Sequence, residues 1–332
     1  MTAEEDAQQR PTLVGIGGDS GSGKTTLTGA LYGLLGEERI TSICLDDYHA
    51  LDRRERALVK LTPLNPRANN FAEMEEHIWR LKRGLAVEKP VYDHRDGTLG
   101  PPETVVPREI VMVQGLHPYL IPGVRHAFDL KVWLDPDPGL RLAWKLQRDT
   151  SKRGYRDDQV RAEIEARRAD AEAYIAPQRK HADLLVRFQS PSPGSQDMAH
   201  LSVRIVQRHT MPRLNFHDQL HTASAIHLDL GVIDEDGQRA DVIVIDGQIT
   251  PREAELVERS TWEHMDGVHG QAHHVPPERL GSYEAARQRQ HSDPLALTQL
   301  ILGHRILSAR KSYLVRITED GHRDLDPDHA HM

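Results

Sequence analysis

A glycine-rich segment near the start of the chain carries residue types that can hold phosphate groups. It matches the pattern G-x-x-x-x-G-K-[ST] and comprises Gly18, Asp19, Ser20, Gly21, Ser22, Gly23, Lys24 and Thr25, with Thr26 directly after it. Glycines let the backbone curl until successive N–H groups point at phosphate oxygens. Lys24 can reach the outer phosphates of a nucleoside triphosphate, and the Thr25 hydroxyl can bind Mg²⁺. The segment therefore predicts a nucleotide site; a glycine-rich turn without a ligand is the alternative.

A second polar segment, Asp46 to His49, follows an apolar run. A carboxylate at this point can accept the proton of an attacking hydroxyl and can also bind Mg²⁺. Aspartate equally suits a helix N-cap or a turn, so the local pattern leaves both interpretations open. We take Asp46 as the candidate base and, with Thr25, as a candidate metal ligand.

The elements that must position these segments follow an alternating pattern. Short apolar runs at 13–17, 40–45, 110–113 and 130–134 predict buried strands. Helical spacing predicts helices at 25–35, 71–83, 138–151 and 157–174. Alternation of this kind indicates an α/β fold with a doubly wound, mostly parallel sheet of the P-loop NTPase type. Ligands of such sheets lie beyond the carboxyl ends of the strands, where both polar segments begin.

The pattern changes after residues 189–196, a stretch rich in Ser, Pro and Gly that indicates a linker. Residues 226–232 and 241–245 flank a turn and predict an antiparallel hairpin, while 251–265 and 293–311 predict helices. We therefore expect a core of residues 1–190. A C-terminal β/α extension of residues 197–325 should pack on this core and extend its sheet.

Composition excludes several classes of protein. With 332 residues, 38% apolar and 28% charged, the chain suits a globular protein rather than a disordered one. A net charge of −8 gives no reason to expect nucleic acid or an anionic membrane as a partner. No apolar run approaches the length of about 18 residues that would span a bilayer. The single cysteine, Cys44, and the polar start of the chain favour a cytoplasmic protein.

Five short stretches occur in an order that is specific to one family. They read ICLDDYHALDR at 43–53, NPRANNF at 65–71, KPVYDH at 89–94, GLHP at 115–118 and KLQRD at 145–149. This ordered set resembles the phosphoribulokinases of the phosphoribulokinase and uridine kinase family, over roughly the first 190 residues. The resemblance implies that ATP and Mg²⁺ bind at the glycine-rich segment and that ribulose 5-phosphate is phosphorylated. It also implies a homo-oligomer, with a dimer favoured.

The resemblance further implies roles for individual residues. Asp46 matches the general base, and the positions that contact the sugar phosphate are matched by His49, Arg53, Tyr92 and His94. A basic helix end facing the active site is matched by Lys145, Arg148, Asp149 and Arg153. Lys145 or Arg148 would stabilise the migrating phosphoryl group, Asp149 is the functional acid, and Arg153 joins the substrate-binding set. On a helix, Lys145, Arg148 and Asp149 share one face. A plain surface ion pair between Asp149 and Arg153 stays open as the alternative.

Two positions depart from the family pattern. Gln114 follows a predicted strand where the family usually has Glu, so it keeps an oxygen ligand but loses the charge. Ser22 stands where plant-type enzymes carry a cysteine, so Cys44 has no disulfide partner and we expect no thioredoxin-type switch. Two rival functions follow: a nucleoside kinase of the uridine kinase type, and a nucleotide-binding regulator that has lost catalysis. Against the nucleoside kinase, aromatic residues that could stack on a base make up only 5% of the chain.

Overall fold

An eight-stranded mixed sheet forms the centre of the computed structural model, which describes residues 10–192, 197–212, 220, 223–269, 280–285 and 288–320. In chain order the strands of this sheet are β1 (Thr12–Gly17), β2 (Ile40–Cys44), β5 (Ile110–Gly115), β6 (Leu130–Leu134), β7 (Leu184–Gln189), β8 (Ser202–Arg208), β9 (Ile226–Ile233) and β10 (Arg239–Ile245). Their spatial order is β2-β5-β1-β6-β7-β8-β10-β9. The first five are parallel, and the last three are antiparallel.

Two small hairpins stand outside this sheet. β3 (Val87–Asp93) pairs with β4 (Thr98–Val105), and β11 (Ser282–Ala285) pairs with β12 (Gln288–His291). The helices are α1 (Lys24–Leu35), α2 (Arg53–Leu58), α3 (Phe71–Lys82), α4 (Pro122–Ala127), α5 (Pro138–Arg153), α6 (Asp157–Asp170), α7 (Pro251–His269) and α8 (Asp293–Asp320). None of the described helices is long and apolar enough to cross a bilayer.

Apolar strands explain why this sheet is covered on both faces. Every residue of β1 is buried, as expected for the central strand of a parallel sheet. One face packs under α1 and α8 through Leu31, Leu34 and Leu300, and the other under α3 through Ile78 and Leu81. Gly303 lets α8 approach α1 closely, because a Cβ there would lie 2.3 Å from Leu34 Cδ2. The predicted doubly wound α/β fold is confirmed.

The C-terminal strands continue the core sheet directly. β7 and β8 pair antiparallel from Leu184 opposite Gln207 to Gln189 opposite Ser202. The predicted hairpin is confirmed as β9 and β10, with Gly237 at a φ of 77° in the turn between them. The division of the chain near residue 190 stays a prediction, and residues 193–196 of the expected linker lie outside the described residues.

Several predicted boundaries were wrong. α5 runs to Arg153 rather than residue 151, because the left-handed Gly154, with a φ of 72°, ends it. The helix predicted at 157–174 ends at Asp170 and continues as a π-turn over Ala171–Ile175. α7 reaches His269 and α8 reaches Asp320, both past their predicted ends.

Candidate active site

The glycine-rich loop leads from β1 into α1 and leaves backbone donors unused. Gly23 caps α1 at a φ of 88°, and no side chain caps this helix end. The first N–H groups of a helix have no partner within it, so they can bind an anion. Gly21 has a φ of 83°, and a Cβ there would lie 2.9 Å from Cβ of Lys145, so α5 holds the loop from behind. These contacts favour a loop already shaped for phosphate.

Lys24 turns back over the loop. Its ammonium donates to the carbonyl oxygens of Gly18 and Asp19 at 2.6 Å and 3.0 Å. Burial lowers the pKa of Lys24, while the carboxylates of Asp46 and Asp19 act in the opposite direction. Asp19 is itself paired with Arg141. Lys24 therefore lies within electrostatic reach of Asp46, as a site joining nucleotide and acceptor requires.

The adjacent residues Asp46 and Asp47 have different surroundings. Both lie in a 3₁₀ turn, Leu45–Tyr48, directly after β2. Asp46 lines a large cleft that the glycine-rich loop also lines. Asp47 accepts from the Lys89 ammonium at 2.6 Å and from the Tyr92 N–H at 3.0 Å, which ties the turn to the β3–β4 hairpin. Asp47 therefore serves to hold the turn against the hairpin, and Asp46 is the one of the two that lines the cleft.

The Asn-rich stretch after this turn orients His49. Asn69 Nδ2 donates to the carbonyls of Pro63 and Asn65, so its Oδ1 is the atom that faces His49 Nδ1, at 2.8 Å. Nδ1 must then carry the proton, which leaves Nε2 as an acceptor. Burial lowers the pKa of His49 to about 4, and the charge of Arg56 acts in the same direction. A neutral imidazole at pH 7 suits a sugar hydroxyl better than a phosphate.

Tyr92 is a buried residue at the centre of a cluster at the acceptor end of the cleft, in which His49 is also buried while Arg53 and His94 are exposed. Its ring packs edge-on against His49 and His94, with centroid separations of 4.7 Å and 5.0 Å. Its hydroxyl accepts from Arg56 Nη2 at 2.7 Å. Arg53 Nη2 donates to the His94 carbonyl at 2.8 Å. The four residues predicted to contact sugar phosphate are thus brought together, and Arg56 joins them.

The predicted basic helix end is partly buried beneath the loop. Asp149 accepts from Lys145 Nζ at 2.9 Å and from Arg148 Nε at 2.8 Å. Burial alone would raise the pKa of Asp149, but these hydrogen bonds outweigh it and lower that pKa. Arg148 Nη2 also donates to Ser20 Oγ at 3.1 Å, so this group is linked to the phosphate loop. The side chain of Arg153 lies outside the described residues.

A cleft of about 1980 Å³ joins these groups. Among the predicted site residues, those that line it are Ser20, Gly21, Ser22, Gly23, Lys24, Thr25, Thr26, Asp46, His49, Arg53, Tyr92, His94 and Arg148. Lys145 and Asp149 are buried behind it rather than on its surface. Arg56 and Arg167 also line the cleft, although sequence patterns did not single them out. Their only sequence signal was a basic residue on a helix, which is usually solvated.

Three oxygen donors in the cleft fit a hard cation. They are the Thr25 hydroxyl, the Asp46 carboxylate and the Gln114 carboxamide. Gln114 lies between Ile16 of β1 and Cys44 of β2 in the sheet register. Its Oε1 is buried and has no hydrogen-bond partner in the described part of the chain. Because Mg²⁺ prefers oxygen ligands, the residues present fit this ion with one carboxylate among them.

A parallel sheet with a glycine-rich loop entering α1, and with an aspartate just past the end of β2, which is separated from β1 by one strand, defines the class of P-loop kinases. The model of the phosphoribulokinase / uridine kinase family matches residues 13–192, more than half of the chain. The chain therefore belongs to this family.

Curated relatives are similar over the same part of the chain. The phosphoribulokinase of Synechocystis sp. is 44% identical over 210 residues, which are 63% of this chain and 62% of that protein. The chloroplastic phosphoribulokinase of Spinacia oleracea is 37% identical over 221 residues, or 61% of this chain and 55% of that protein. The chain thus spans less than two thirds of the length of these relatives.

A solved structure shares the fold over a longer range. The phosphoribulokinase from Rhodobacter spheroides aligns with a TM-score of 0.59 and covers 91% of this chain and 99% of that one, at 16% identity. At this identity the likeness shows the fold alone. It extends the shared architecture beyond residue 192.

Proposed function

We propose that this protein transfers the γ-phosphoryl group of ATP to the C1 hydroxyl of ribulose 5-phosphate. The products are ribulose 1,5-bisphosphate and ADP. The observation that carries this proposal is that one cleft joins the phosphate loop, the Asp46 carboxylate and two arginines, Arg53 and Arg56. Neither arginine forms an ion pair with a carboxylate of the described residues. Relatives named phosphoribulokinase support the same acceptor.

The transfer would follow from the positions of these groups. Asp46 accepts the proton of the C1 hydroxyl, and the resulting oxygen attacks the γ-phosphorus. The bond from that phosphorus to the bridging oxygen breaks, and ADP leaves with the bonding electrons. Lys24 and Arg148 offset the negative charge that spreads over the transferring group. Asp149 is a positioning residue, because it holds Arg148 beside Ser20.

The residues that would hold Mg²⁺ are Thr25 and Asp46, with Gln114 as an uncharged oxygen donor. When bound, this ion would neutralise charge between the outer phosphates of ATP. Gln114 supplies one negative charge less than a glutamate at the same position. We therefore propose that Mg²⁺ binds more weakly here than it would with a glutamate at position 114, and that the kinase activity is retained.

A nucleoside acceptor has less support. The uridine kinase-like protein 3 of Arabidopsis thaliana is 28% identical, compared with 44% for the Synechocystis phosphoribulokinase. The acceptor end of the cleft also contains Arg53 and Arg56, which pair with no carboxylate of the described residues and which an uncharged nucleoside would leave without a counter-charge. A homodimer remains part of the proposal through the family resemblance alone.

The direct experiment follows ³¹P NMR spectra of ATP with ribulose 5-phosphate, with uridine and with no acceptor. We expect a new phosphomonoester signal and stoichiometric ADP only with ribulose 5-phosphate. A new signal only with uridine would assign the nucleoside kinase function. Nucleotide binding without turnover of either acceptor would assign the regulator.

A further inference from the structure

Helix α6 forms part of the cleft wall but has few apolar contacts to hold it there. Glu163, Ala166 and Arg167 of this helix line the cleft. Among the residues of α6, all of which the structure describes, only Val160 is buried. An element with so little buried apolar surface opens at a low cost in free energy. Its polar contacts therefore decide where this wall of the cleft stands.

Both ends of α6 depart from α-helical geometry. Gly154, between α5 and α6, has a φ of 72°, and a Cβ there would meet no atom within 4 Å. After Asp170 the chain continues as the π-turn over Ala171–Ile175. Beyond this turn Gln178 is fixed beside the end of β5, since its Nε2 donates to the Leu116 carbonyl at 2.8 Å. A glycine junction and a π-turn both tolerate a change of helix direction, so α6 can move while the segments beyond them stay in place.

Asp170, the last residue of α6, joins this helix to the loop between α2 and α3. Its Oδ2 accepts from the Thr62 hydroxyl at 2.6 Å, and its Oδ1 accepts from Asn65 Nδ2 at 3.3 Å. Thr62 Oγ1 itself accepts from the Leu64 N–H, so the hydroxyl proton is directed to Asp170. Hydrogen bonds to a charged acceptor are stronger than those between neutral groups. Because Thr62 also lines the cleft, Asp170 connects two parts of the same cleft wall.

The hydrogen bonds continue from this loop to the acceptor end of the cleft. The Asn65 carbonyl accepts from Asn69 Nδ2 at 2.9 Å, and Asn69 Oδ1 accepts from His49 Nδ1 at 2.8 Å. A β-bridge between His49 and Asn69 adds backbone contact at the same point. An unbroken path of hydrogen bonds thus runs from Asp170 through Asn65 and Asn69 to His49.

The middle of α6 lies near the nucleotide end of the cleft. Glu163 Oε1 lies 2.5 Å from Arg167 Nη2 and 3.9 Å from Lys145 Nζ. Lys145 packs against the glycine-rich loop, and the charge of Asp19 in that loop acts on Arg167. The helix therefore meets the nucleotide side through Glu163 and the acceptor side through Asp170.

We infer that Asp170 is a positioning residue that couples the acceptor site to the nucleotide site through α6. A sugar hydroxyl bound at Nε2 of His49 steadies Asn69 and Asn65. Asp170 then holds α6 against the cleft, with the middle of the helix beside the phosphate loop, so the nucleotide binds more tightly when the acceptor is present. This coupling rests on the proposed function for the identity of the acceptor, whereas the hydrogen-bonded path can be tested without one.

The coupling is measured with Mg²⁺ and an ATP analogue whose β,γ-bridge is an imido group, titrated calorimetrically with and without saturating ribulose 5-phosphate. In the wild type we expect the sugar phosphate to tighten analogue binding by about five- to tenfold. In Asp170→Ala this factor should fall below about twofold, while the affinity for the analogue alone changes by less than about twofold. Glu165→Gln removes an exposed carboxylate from the same helix and should keep the wild-type factor. Equal factors in Asp170→Ala and the wild type, or no coupling in a wild type that binds the sugar phosphate, would overturn the inference.

A double-mutant cycle tests the path itself. Asp170→Ala and Asn69→Ala interrupt it at two points, so each should raise KM for ribulose 5-phosphate by about three- to tenfold. Because Asn69 lies between Asp170 and His49, the double variant should resemble Asn69→Ala alone. Effects that multiply would show that the two residues act independently, which contradicts a shared path.

Hydrogen exchange separates this inference from the proposed function, because it needs no acceptor. All variants are first checked for native near-ultraviolet circular dichroism. Backbone amides of the loop 62–70 and of α6 should exchange at least about fivefold faster in Asp170→Ala than in the wild type, and at the wild-type rate in Glu165→Gln. If exchange rises in this way but the wild type never binds or turns over ribulose 5-phosphate, only the proposed function fails. Unchanged exchange in folded Asp170→Ala would contradict the role of Asp170.

Discussion

The Asp47 carboxylate lies 2.6 Å from the Lys89 ammonium, and this ion pair ties the turn after β2 to the β3–β4 hairpin. Lys89 also lies 2.9 Å from Glu103. Because Asp47 is bound in this way, its neighbour Asp46 is left to face the cleft. The two aspartates of one sequence motif therefore have different surroundings: Asp47 ties the turn to the hairpin, and Asp46, the proposed base, lines the cleft.

Removing the Asp47 charge should lower stability. Asp47→Asn leaves the buried Lys89 with Glu103 as its remaining carboxylate, so we expect a loss of about 2–3 kcal/mol in the free energy of unfolding. Urea denaturation curves of the variant and the wild type measure this loss in the free energy of unfolding. Glu76→Gln removes an exposed carboxylate from α3 and should change that free energy by less than about 0.5 kcal/mol. Equal stability of the two variants would show that the ion pair does not support the fold.

Restoring a carboxylate at position 114 should strengthen the metal site. Gln114→Glu adds a charge where the buried Oε1 now has no partner in the described structure, so we expect the apparent Mg²⁺ requirement to fall several-fold. Gln114→Ala, which removes the oxygen donor, should raise that requirement. Both are measured as turnover against free Mg²⁺ at saturating ATP. If neither variant shifts the midpoint, Gln114 does not take part in binding the metal.

Cys44 should be chemically inert. Burial raises the pKa of this thiol to about 12, with the Asp46 and Asp47 charges acting in the same direction. At pH 8 the reactive thiolate is then about three orders of magnitude scarcer than in free cysteine. Iodoacetamide should modify the folded chain correspondingly slowly, as followed by mass spectrometry. Rapid alkylation, or reversible loss of turnover on mild oxidation, would contradict this account.

Two buried histidines should make the fold sensitive to acid. Burial lowers the pKa values of His49 and His117 to about 4, compared with about 6.5 in an unfolded chain. Between these values the unfolded state binds more protons, so the free energy of unfolding falls as pH drops from about 6.5 to 4. The slope is up to about 1.4 kcal/mol per pH unit for each histidine.

Denaturation curves at several pH values test this slope. His117→Gln should make the pH dependence shallower, whereas His126→Gln, at an exposed position on α4, should keep it. The same slope in both variants would mean that the buried imidazoles are not the cause.

The sequence predicted the parts of the site that depend on local patterns. The glycine-rich loop and the turn at Asp46 could be read directly, because each follows an apolar strand whose burial is itself a local signal. The β3–β4 hairpin was missed, since Gly100, Pro101 and Pro102 are poor strand residues and most of β4 is exposed. The end of α8 was predicted too early, at residue 311. The helix runs to Asp320, directly before Gly321, which is the next glycine in the chain after residue 311.

Arg56 shows why the rest of the site could not be predicted. Its burial depends on Tyr92, which is 36 residues away in the chain and belongs to the hairpin that the patterns did not indicate. The same applies to Asp47, whose partner Lys89 is 42 residues away. Pairings of this kind are set by tertiary packing, and no periodicity reports them.

Replacing Asp46 by Asn gives the most direct test that this cleft performs proton abstraction and phosphoryl transfer. Turnover of ribulose 5-phosphate should fall by about 10²- to 10⁴-fold, the usual contribution of a positioned general base. KM for ATP should stay within about threefold, because the phosphate loop and Lys24 are unchanged. Turnover within tenfold of the wild-type rate in a folded Asp46→Asn protein would contradict the assignment of Asp46 and, with it, the proposed mechanism.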